Sequence, residues 1–443
     1  MNDMTKGAIL PHILKFAFFV FIAGLLQNLY LLVDSIILGQ YLGKEAIAAV
    51  GIAMTLNFVV IGFLQGLTQG FSINMAQAFG AKDMVRFRKY FYNSILLSVG
   101  LGLLITVVLT LTNGFVLKWM NTPDNLFDLA NIFLIVLYSG TLPLLFYNLF
   151  SGVLRSIGNS FSPILFLALS VVINISVVYI FVALLSGGIW GASLGTVISQ
   201  TIASIACFFY IKKKYPELTI REEEKVADKQ LMKKLVTQAI PMGLQFSFTG
   251  IGVLVLQTFL NDFSTEHIAG FSIAVRIQNI IVFVFVALAN AIATFISQNY
   301  GAKKHDRINQ GVKLVVGISL VLSLVCIALI KVFGVSMVNI FTESPDPLIA
   351  EASTTYFNVV TWGYPILALL IVFRSALQGF GFPITAMFAG IIELIMRVVV
   401  VATLTSSLGF LAICLADLAT WVVTGVALIV AYFYLTKTRR KTI

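Results

Sequence analysis

Long apolar runs separated by short polar stretches dominate the chain from residue 9 to residue 435. A helix needs roughly 20 apolar residues to cross the hydrocarbon layer of a membrane, and most runs are at least that long. The strict alternation of apolar and polar positions that barrel strands show is absent. The runs therefore predict membrane-spanning helices, because a helix satisfies its backbone hydrogen bonds within a single segment.

We predict twelve spans from these runs. Their approximate ranges are 11–38, 46–78, 90–113, 127–152, 162–185, 189–211, 235–260, 267–298, 311–334, 348–373, 383–404 and 409–435. The longest polar stretch, residues 212–234, follows the sixth span and predicts a cytoplasmic linker between a six-helix lobe over residues 1–211 and another over residues 235–443. Its mixed charges, Arg221-Glu222-Glu223-Glu224-Lys225, favour a solvated segment without a binding role.

The two halves of the chain repeat each other. Gln77–Lys82 (QAFGAK) matches Gln298–Lys303 (QNYGAK), and Gly158 matches Gly381 at nearly the same offset along the chain. Because each half holds an even number of spans, both halves have the same orientation in the membrane. The predicted fold class is an all-α polytopic membrane protein, with twelve transmembrane helices in two pseudo-symmetric six-helix lobes.

Composition and charge agree with this fold. The chain is 59% hydrophobic and 11% charged, with a mean hydropathy of +0.98, whereas a soluble domain is about 25% charged. On the predicted topology, 24 of the 29 lysines and arginines fall on one side, three on the other and two within spans. The positive-inside rule places the basic side and both termini in the cytoplasm. The net charge of +10 therefore indicates membrane topology and not nucleic-acid binding.

Signatures of enzymes and metal sites are missing from the sequence. Cys207, Cys326 and Cys414 each lie alone in an apolar stretch and predict neither a disulfide nor a metal site. P-loop, HExxH and GxSxG motifs are absent. We therefore predict that the protein is not an enzyme and has no cofactor, so that any pumping draws on an ion gradient. A channel with a continuous polar pore, or an enzyme with its site at one membrane face, are the alternatives from other classes.

Asp34 is the most informative polar residue, because it is the only carboxylate in the apolar run Ile9–Leu38. A charged side chain within a span costs at least ~2.5 kcal/mol. Gln27, Tyr30 and Asp34 are spaced i, i+3, i+7 and share one helix face. This face should be directed toward a wet cavity or another helix. The alternative is that Asp34 lies at headgroup level and simply ends the span.

Four more charged residues lie within the predicted spans, namely Arg276, Glu393, Arg397 and Asp417. Glu393 and Arg397 are four residues apart and can neutralise each other on one helix. Arg276 could pair with Asp417 or with Glu393, as a structural ion pair. The alternative is that these charges line a substrate cavity. Further candidates for that cavity are Gln27, Tyr30, Gln200 and Gln245.

Neutral polar residues occur in the fifth and sixth spans. Asn174 lies in the fifth, and Thr196 lies in the sixth on a stripe with Ser193 and Gln200. Each could make an ordinary interhelical hydrogen bond, worth about 0.6 kcal/mol. Together with Asp34 they could instead form an oxygen-rich site for a proton or Na⁺.

Several short motifs occur in a fixed order along the chain. They are Leu29-Tyr30-x-x-Val33-Asp34, Leu42-Gly43, Ala48-Ala49-Val50-Gly51, the repeated Gln-x-x-Gly-Ala-Lys, Leu154-Arg155-Ser156-x-Gly158-Asn159 and Gly191-Ala192-x-x-x-Thr196. With the two-fold repeat of six spans, the whole chain resembles the multidrug and toxic compound extrusion (MATE) family, in its prokaryotic, DNA-damage-inducible-like branch.

The resemblance implies a two-lobed transporter of the bacterial cytoplasmic membrane that works by alternating access. It would export cationic amphiphilic drugs or other small organic compounds in exchange for H⁺ or Na⁺. Asp34 would be the coupling carboxylate and the position for any Na⁺, with Asn174 and Thr196 as its polar partners. The expected partners are membrane lipids and small cationic or amphiphilic substrates, and the expected state is a monomer. The alternative is a lipid-linked oligosaccharide or polysaccharide flippase of the same superfamily, which would need several intramembrane arginines.

Two positions depart from the family pattern. The branch often has an aspartate four residues after the fifth-span asparagine, where this chain has Val178. The sodium-coupled branch has a glutamate eight residues after the seventh-span proline, here Pro241, where this chain has Thr249. A sodium site of that kind is therefore not expected in the second lobe. A single carboxylate in the first lobe can still load and release one proton, and the choice between H⁺ and Na⁺ stays open.

Overall fold

The computed structural model describes residues 2–341 and 346–442, without the side chains of residues 30–32 and 439–442. The side chain of Tyr30 and the predicted basic cluster Arg439, Arg440 and Lys441 thus lie outside the described residues. Over the described ranges the chain forms helices and no strand. The helices are α1 (Ile9–Gly80), α2 (Met84–Trp119), α3 (Asp124–Ser139), α4 (Thr141–Ser156), α5 (Phe161–Tyr179), α6 (Gly188–Lys214), α7 (Lys229–Leu260), α8 (Thr265–Gly301), α9 (His305–Asn339), α10 (Pro347–Val360), α11 (Tyr364–Phe380), α12 (Pro383–Leu408) and α13 (Phe410–Thr442).

The number of spans follows from a break in the first helix. Ten helical segments of the described chain are long and apolar enough to cross a membrane, and the bent pair α3–α4 makes an eleventh. α1 has 72 residues, which at 1.5 Å per residue would be about 108 Å, more than three times the hydrocarbon thickness. Gly43, with φ 79° and ψ −170°, interrupts α1. Division at Gly43 gives twelve spans, in agreement with the all-α polytopic fold predicted from the sequence.

The fourth predicted span is broken and not continuous. α3 and α4 meet at Gly140 with a bend of 47°, and Pro143 in the first turn of α4 has no amide hydrogen to continue the helical ladder. In the second half, a 3₁₀ turn over Thr361–Gly363 separates α10 from α11, which carries Pro365 in its first turn. Gly140 and Gly363 are as far apart in the chain as the matched pair Gly158 and Gly381, so the two breaks occupy equivalent positions in the repeat.

Backbone conformation also repeats between the halves. Lys82 and Lys303, which end the two matched motifs, have φ values of 59° and 58°, and Gly158 and Gly381 have φ values of 78° and 87°. A positive φ is uncommon for lysine, and in glycine it carries no Cβ penalty. The matched motifs therefore end their helices in the same way, and the internal repeat seen in the sequence is a repeat of local structure.

The chain divides into two compact units. Unit 1 comprises Met1–Met4 and Phe18–Gly243, and unit 2 comprises Thr5–Ala17 and Leu244–Ile443. The division thus falls within α1 and within α7, and unit 1 includes the polar stretch after α6. The lobe boundaries at residues 211 and 235, which were placed at the ends of that polar stretch, stay predictions.

Two large apolar clusters form much of the core of unit 1. One of them, which we call the α3 cluster, joins both parts of α1 to α3, α5 and α6. Its buried members are Ile37, Leu38, Ala46, Ala49, Ala53, Leu117, Leu126, Ala130, Phe133, Leu134, Leu137, Tyr138, Val178, Val182, Ile189 and Ala192, and Val33 and Ile175 pack against it. Within the hydrocarbon layer the hydrophobic effect does not drive helix association, so close van der Waals packing of these side chains is what holds the helices together.

The polar linker after α6 is anchored and not wholly solvated, so the sequence-based interpretation of this segment was wrong at one residue. Glu224 is 2% exposed, and both of its carboxylate oxygens accept hydrogen bonds of 2.6 Å from the Arg88 guanidinium of α2. Arg88 also donates to the Glu217 carbonyl, at 3.0 Å. Asn93, one helical turn further on, donates to the Val226 carbonyl. The sequence did not reveal this anchor, because Glu224 lies in a run of charged residues and its neighbour Glu223 is exposed.

Removal of the anchor will free the linker. Replacement of Glu224 by Ala leaves Arg88 buried without its counter-charge, a loss of ~3 kcal/mol or more. The linker then opens more often. Because trypsin cleaves only the open form, the rate of cleavage should rise by ~100-fold. Limited trypsin digestion at Arg221 and Lys225 measures this rate. Glu223→Ala, which removes an exposed neighbouring carboxylate, is the matched control and should leave the rate unchanged.

Acid should weaken the same anchor. The Arg88 guanidinium holds the pKa of Glu224 below its usual value of 4.5. A lowered pKa in the folded protein contributes stability that is present above pH 4.5 and is lost as the pH falls through the lowered pKa.

Equal cleavage of wild type and Glu224→Ala at neutral pH would contradict the role of this ion pair.

Candidate functional site

Asp34 is buried in unit 1, with 7% of its surface exposed. No hydrogen-bond partner for its Oδ1 atom occurs among the described residues. Val33 packs against the α3 cluster, and Ile37 and Leu38, one helical turn further along α1, are buried members of it. The carboxylate therefore lies beside apolar side chains, where an ionised oxygen without a partner is costly and where a proton or a small cation would remove that cost.

Asn174 and Thr196 are brought together, as their predicted shared role requires. The Asn174 amide of α5 donates to the Thr196 hydroxyl of α6 at 3.4 Å. Gly195 permits this approach, because a Cβ atom there would lie 2.5 Å from Cγ2 of Val178. Val178 belongs to the α3 cluster, as do the residues that follow Asp34 in α1. The coupling role of the two polar residues stays a prediction.

The sequence departure at Val178 has a structural counterpart. Val178 is fully buried and packs on Gly195, one turn from Asn174 on the same face of α5. An aspartate at this position would lie between tightly packed helices, so the apolar valine fits the site as it is built. Asp34 is thereby left as the carboxylate of this part of unit 1.

The other polar candidates of unit 1 differ in exposure. Gln27 is exposed on α1, two turns before Asp34. Gln200 is half-buried on α6, and within the described part of the chain its Oε1 atom has no hydrogen-bond partner. Both could face a polar ligand, but their predicted place in a substrate cavity stays a prediction.

In unit 2 the intramembrane charges pair between helices, and the predicted pairing of Glu393 with Arg397 was wrong. Glu393 of α12 pairs with Arg374 of α11 and accepts a 2.7 Å hydrogen bond from the Thr249 hydroxyl of α7. Arg397 instead donates to Asp417 of α13 at 3.2 Å. A partner on a neighbouring helix is favoured here because both carboxylates are buried and must accept hydrogen bonds from several directions.

These pairs belong to one polar network. The Tyr356 hydroxyl of α10 donates to Oδ2 of Asp417 at 3.0 Å and lies 2.9 Å from Oε1 of Gln278 in α8. Arg397 also reaches the backbone carbonyl of Thr249, at 3.5 Å. The network thus connects α7, α8, α10, α11, α12 and α13 within unit 2. Its two acids and two arginines balance in charge.

Arg374 is a member that the sequence prediction missed, because the tenth predicted span ended at residue 373 and left this arginine in a basic loop. α11 continues for six residues beyond it, to Phe380. Gly381, in the left-handed conformation, caps the helix. The sequence signal for a longer helix was the pair of apolar residues Ala376 and Leu377 beyond Arg374, followed by the capping residue Gly381.

Two cavity candidates of unit 2 have opposite environments. Gln245 is 2% exposed, and its side-chain oxygen accepts a 3.1 Å hydrogen bond from Gln378, so it lies inside the packed helices. Arg276 is exposed on α8, and the described residues offer it no ion-pair partner. Its predicted pairing with Glu393 or Asp417 was wrong, because both acids are engaged by other arginines.

The buried acids of the two units differ in their charge balance. Among the described residues, no group of three or more histidine, cysteine, aspartate or glutamate side chains is placed to hold a metal ion. The uncompensated buried acid of unit 1 can exchange a proton or a monovalent cation. In the network of unit 2, by contrast, both acids already have a counter-charge.

Comparison with known proteins gives the family. The MatE family model matches residues 20–180 and 241–403. The chain is 26% identical to the probable multidrug resistance protein YpnP of Bacillus subtilis (strain 168), over 86% of this chain and 84% of that protein. It is 23% identical to the multidrug export protein MepA of Staphylococcus haemolyticus, over 85% of this chain and 82% of that protein.

A solved structure has the same fold. The crystal structure of MATE in complex with MaL6 superimposes with a TM-score of 0.91, at 21% identity and with 99% of each chain covered. The two segments matched by the family model lie one in each half of the repeat and together span most of the sequence. The chain therefore belongs to the multidrug and toxic compound extrusion family of membrane transporters.

Proposed function

We propose that this protein is a cation-coupled antiporter that exports small amphiphilic organic compounds by alternating access. H⁺ or Na⁺ would enter at Asp34, and substrate would leave as the cation loads. The observation that carries this proposal is the buried carboxylate whose Oδ1 atom has no hydrogen-bond partner in the described chain. Structural acids in a membrane interior are normally paired, and those that are not paired are typical of ion pathways.

The coupling step follows from the surroundings of Asp34. Ionised, the carboxylate opposes close packing of α1 against the α3 cluster, and a bound cation removes this opposition. A cation that binds better in one conformation shifts the population toward it. By reciprocity, a substrate that prefers the other conformation competes with the cation, without any contact between the two ligands.

The sequence and the relatives support the location and the substrate class that we propose. The distribution of basic residues favours a multi-pass protein of a bacterial cytoplasmic membrane with both termini inside the cell. YpnP and MepA are named for multidrug resistance and multidrug export. We extend this class of substrate to the present chain, with a monomer as the transporting species.

A flippase for lipid-linked sugars is the alternative transporter. Recognition of a pyrophosphate group would call for several free intramembrane cations. Arg374 and Arg397 are neutralised by Glu393 and Asp417. Arg276 is then the remaining arginine of the predicted second-half spans, and one guanidinium is a poor match for a pyrophosphate. The charge balance therefore favours a small organic substrate.

Substrate-driven ion movement in proteoliposomes tests the proposal. Addition of ethidium or norfloxacin on the loading side should drive protons the opposite way, with or without Na⁺ according to the coupling ion. Ion flux that is independent of substrate and follows the membrane potential would indicate a channel and overturn the proposal. Ion-independent export would remove the coupling part of it.

A further inference from the structure

Arg276 stands out in unit 2 because its charge is not balanced. Both intramembrane acids of the unit are occupied, Glu393 by Arg374 and Thr249, and Asp417 by Arg397 and Tyr356. Arg276 has no ion pair among the described residues, and its side chain is exposed. An arginine stays charged at any physiological pH, so this cation must be stabilised by water or by a ligand.

Arg276 lies within the predicted span 267–298 and not in a loop. α8 has 37 residues and is about 55 Å long, nearly twice the ~30 Å hydrocarbon layer, and Arg276 lies about 10 Å from the middle of the helix. A guanidinium that faces lipid costs ~2.5 kcal/mol or more at the centre of the layer.

The helix face that carries Arg276 is mixed and not uniformly apolar. Ser272 and Asn279 share this face, four residues before and three after Arg276, and Asn279 is also exposed. Ile280, four residues after Arg276, is an exposed apolar member of the face. The lipid-exposed pattern is different. Every exposed residue of α9 between positions 321 and 329 is apolar, namely Val321, Leu324, Val325, Ala328 and Leu329. We therefore assign the Arg276 face of α8 to a water-accessible surface inside the membrane.

We propose that Arg276, with Asn279 beside it, binds a carboxylate of the exported compound. The planar guanidinium offers parallel N–H donors that match the two oxygens of a carboxylate. The Asn279 amide can donate a further hydrogen bond from the same face.

The consequence is a substrate class narrower than that of cationic amphiphiles. The transporter selects amphiphiles that carry an anionic group, including zwitterions, over compounds with positive charge alone. This inference rests on the proposed export function, which concerns the same ligands. It concerns one carboxylate and not a pyrophosphate, because the predicted second-half spans contain two arginines, and one of them, Arg397, is paired with Asp417.

The test compares a carboxylic acid with its own ester. Norfloxacin carries a carboxylate, and its methyl ester has nearly the same shape without that charge. Equilibrium binding of both to the purified, detergent-solubilised full-length protein is measured for wild type, Arg276→Gln and Arg276→Lys. In wild type the acid should bind at least ~10-fold more tightly than the ester, as expected for a charge-assisted pair. Arg276→Gln should abolish this preference, and Arg276→Lys should retain part of it.

Each outcome bears on one claim. A wild-type protein without preference for the acid, or equal weakening of acid and ester by Arg276→Gln, overturns the carboxylate site. If binding shows the preference while no compound is exported by wild type, the proposed function fails and the site stands. Because Arg276 is exposed, its replacement should leave thermal stability unchanged, which serves as the folding control.

Discussion

Replacement of Asp34 by Asn will reduce substrate-driven ion movement at least ~10-fold, the scale of a typical coupling free energy between two ligand sites. Asparagine keeps the size of the side chain and its hydrogen-bonding oxygen, but it cannot take up a proton and carries no charge to hold Na⁺. The variant should bind substrate without exchanging it against an ion gradient. Proteoliposomes with an imposed pH or Na⁺ gradient measure the exchange, and equilibrium binding measures the substrate affinity.

The matched control is Glu45→Gln, the same acid-to-amide change at an exposed position eleven residues along the same helix. Its ion-coupled transport should equal that of wild type. Undiminished coupling in Asp34→Asn would remove the acid from the coupling role and leave its burial without a functional explanation. Loss of coupling in both variants would point to surface charge near the break in α1.

Asp417→Asn will destabilise unit 2 by ~3–5 kcal/mol, because Arg397 would keep its charge in a buried position without a counter-charge. Arg397 and Asp417 have side-chain exposures of only 6% and 9%. Tyr356 would also lose an anionic acceptor. A lowered apparent melting temperature and a shifted denaturation midpoint of the detergent-solubilised protein measure the loss.

A double variant separates the loss of the pair from the loss of one partner. Arg397→Met with Asp417→Leu replaces both charges by apolar side chains and should recover most of the stability, as replacement of a whole buried pair often does. Asp262→Asn, at an exposed position in the loop before α8, is the control and should have no effect. A double variant as unstable as the single one would show that the pair itself contributes net stability.

Much of the fold could be predicted from the sequence because a membrane leaves few alternatives. Apolar runs of spanning length must be helical, so the spans and their repeat followed directly. The burial of Asp34 and the proximity of Asn174 to Thr196 agree with helix periodicity and with the family resemblance. The ion-pair partners of the charged residues in unit 2 could not be predicted from the sequence. An i, i+4 spacing shows which residues can meet on one helix, but not which neighbouring helix offers a better partner.

The sequence repeat between the two halves does not extend to Asp34. When the halves are aligned on Gln77–Lys82 and Gln298–Lys303, Asp34 corresponds to Val255, so unit 2 has no acid at the equivalent position. The α12–α13 pair, which corresponds to the α5–α6 pair carrying Asn174 and Thr196, holds the ion pair of Arg397 and Asp417. Neutral partners in unit 1 and an ion pair in unit 2 agree with the proposed coupling at Asp34, in which unit 1 responds to the ion and unit 2 keeps its packing.

The anchored linker has a consequence for biogenesis. Arg88, just before the third predicted span, is synthesised early, yet its counter-charge, Glu224, is translated only after the sixth span of the chain. Until then the guanidinium has no acid partner, so the linker anchor of the amino-terminal half forms only after all six of its spans have been made. A gene split into two co-expressed fragments should therefore be cut after Asp228, where the anchored stretch ends and just before α7 begins at Lys229, and not at the start of the polar stretch.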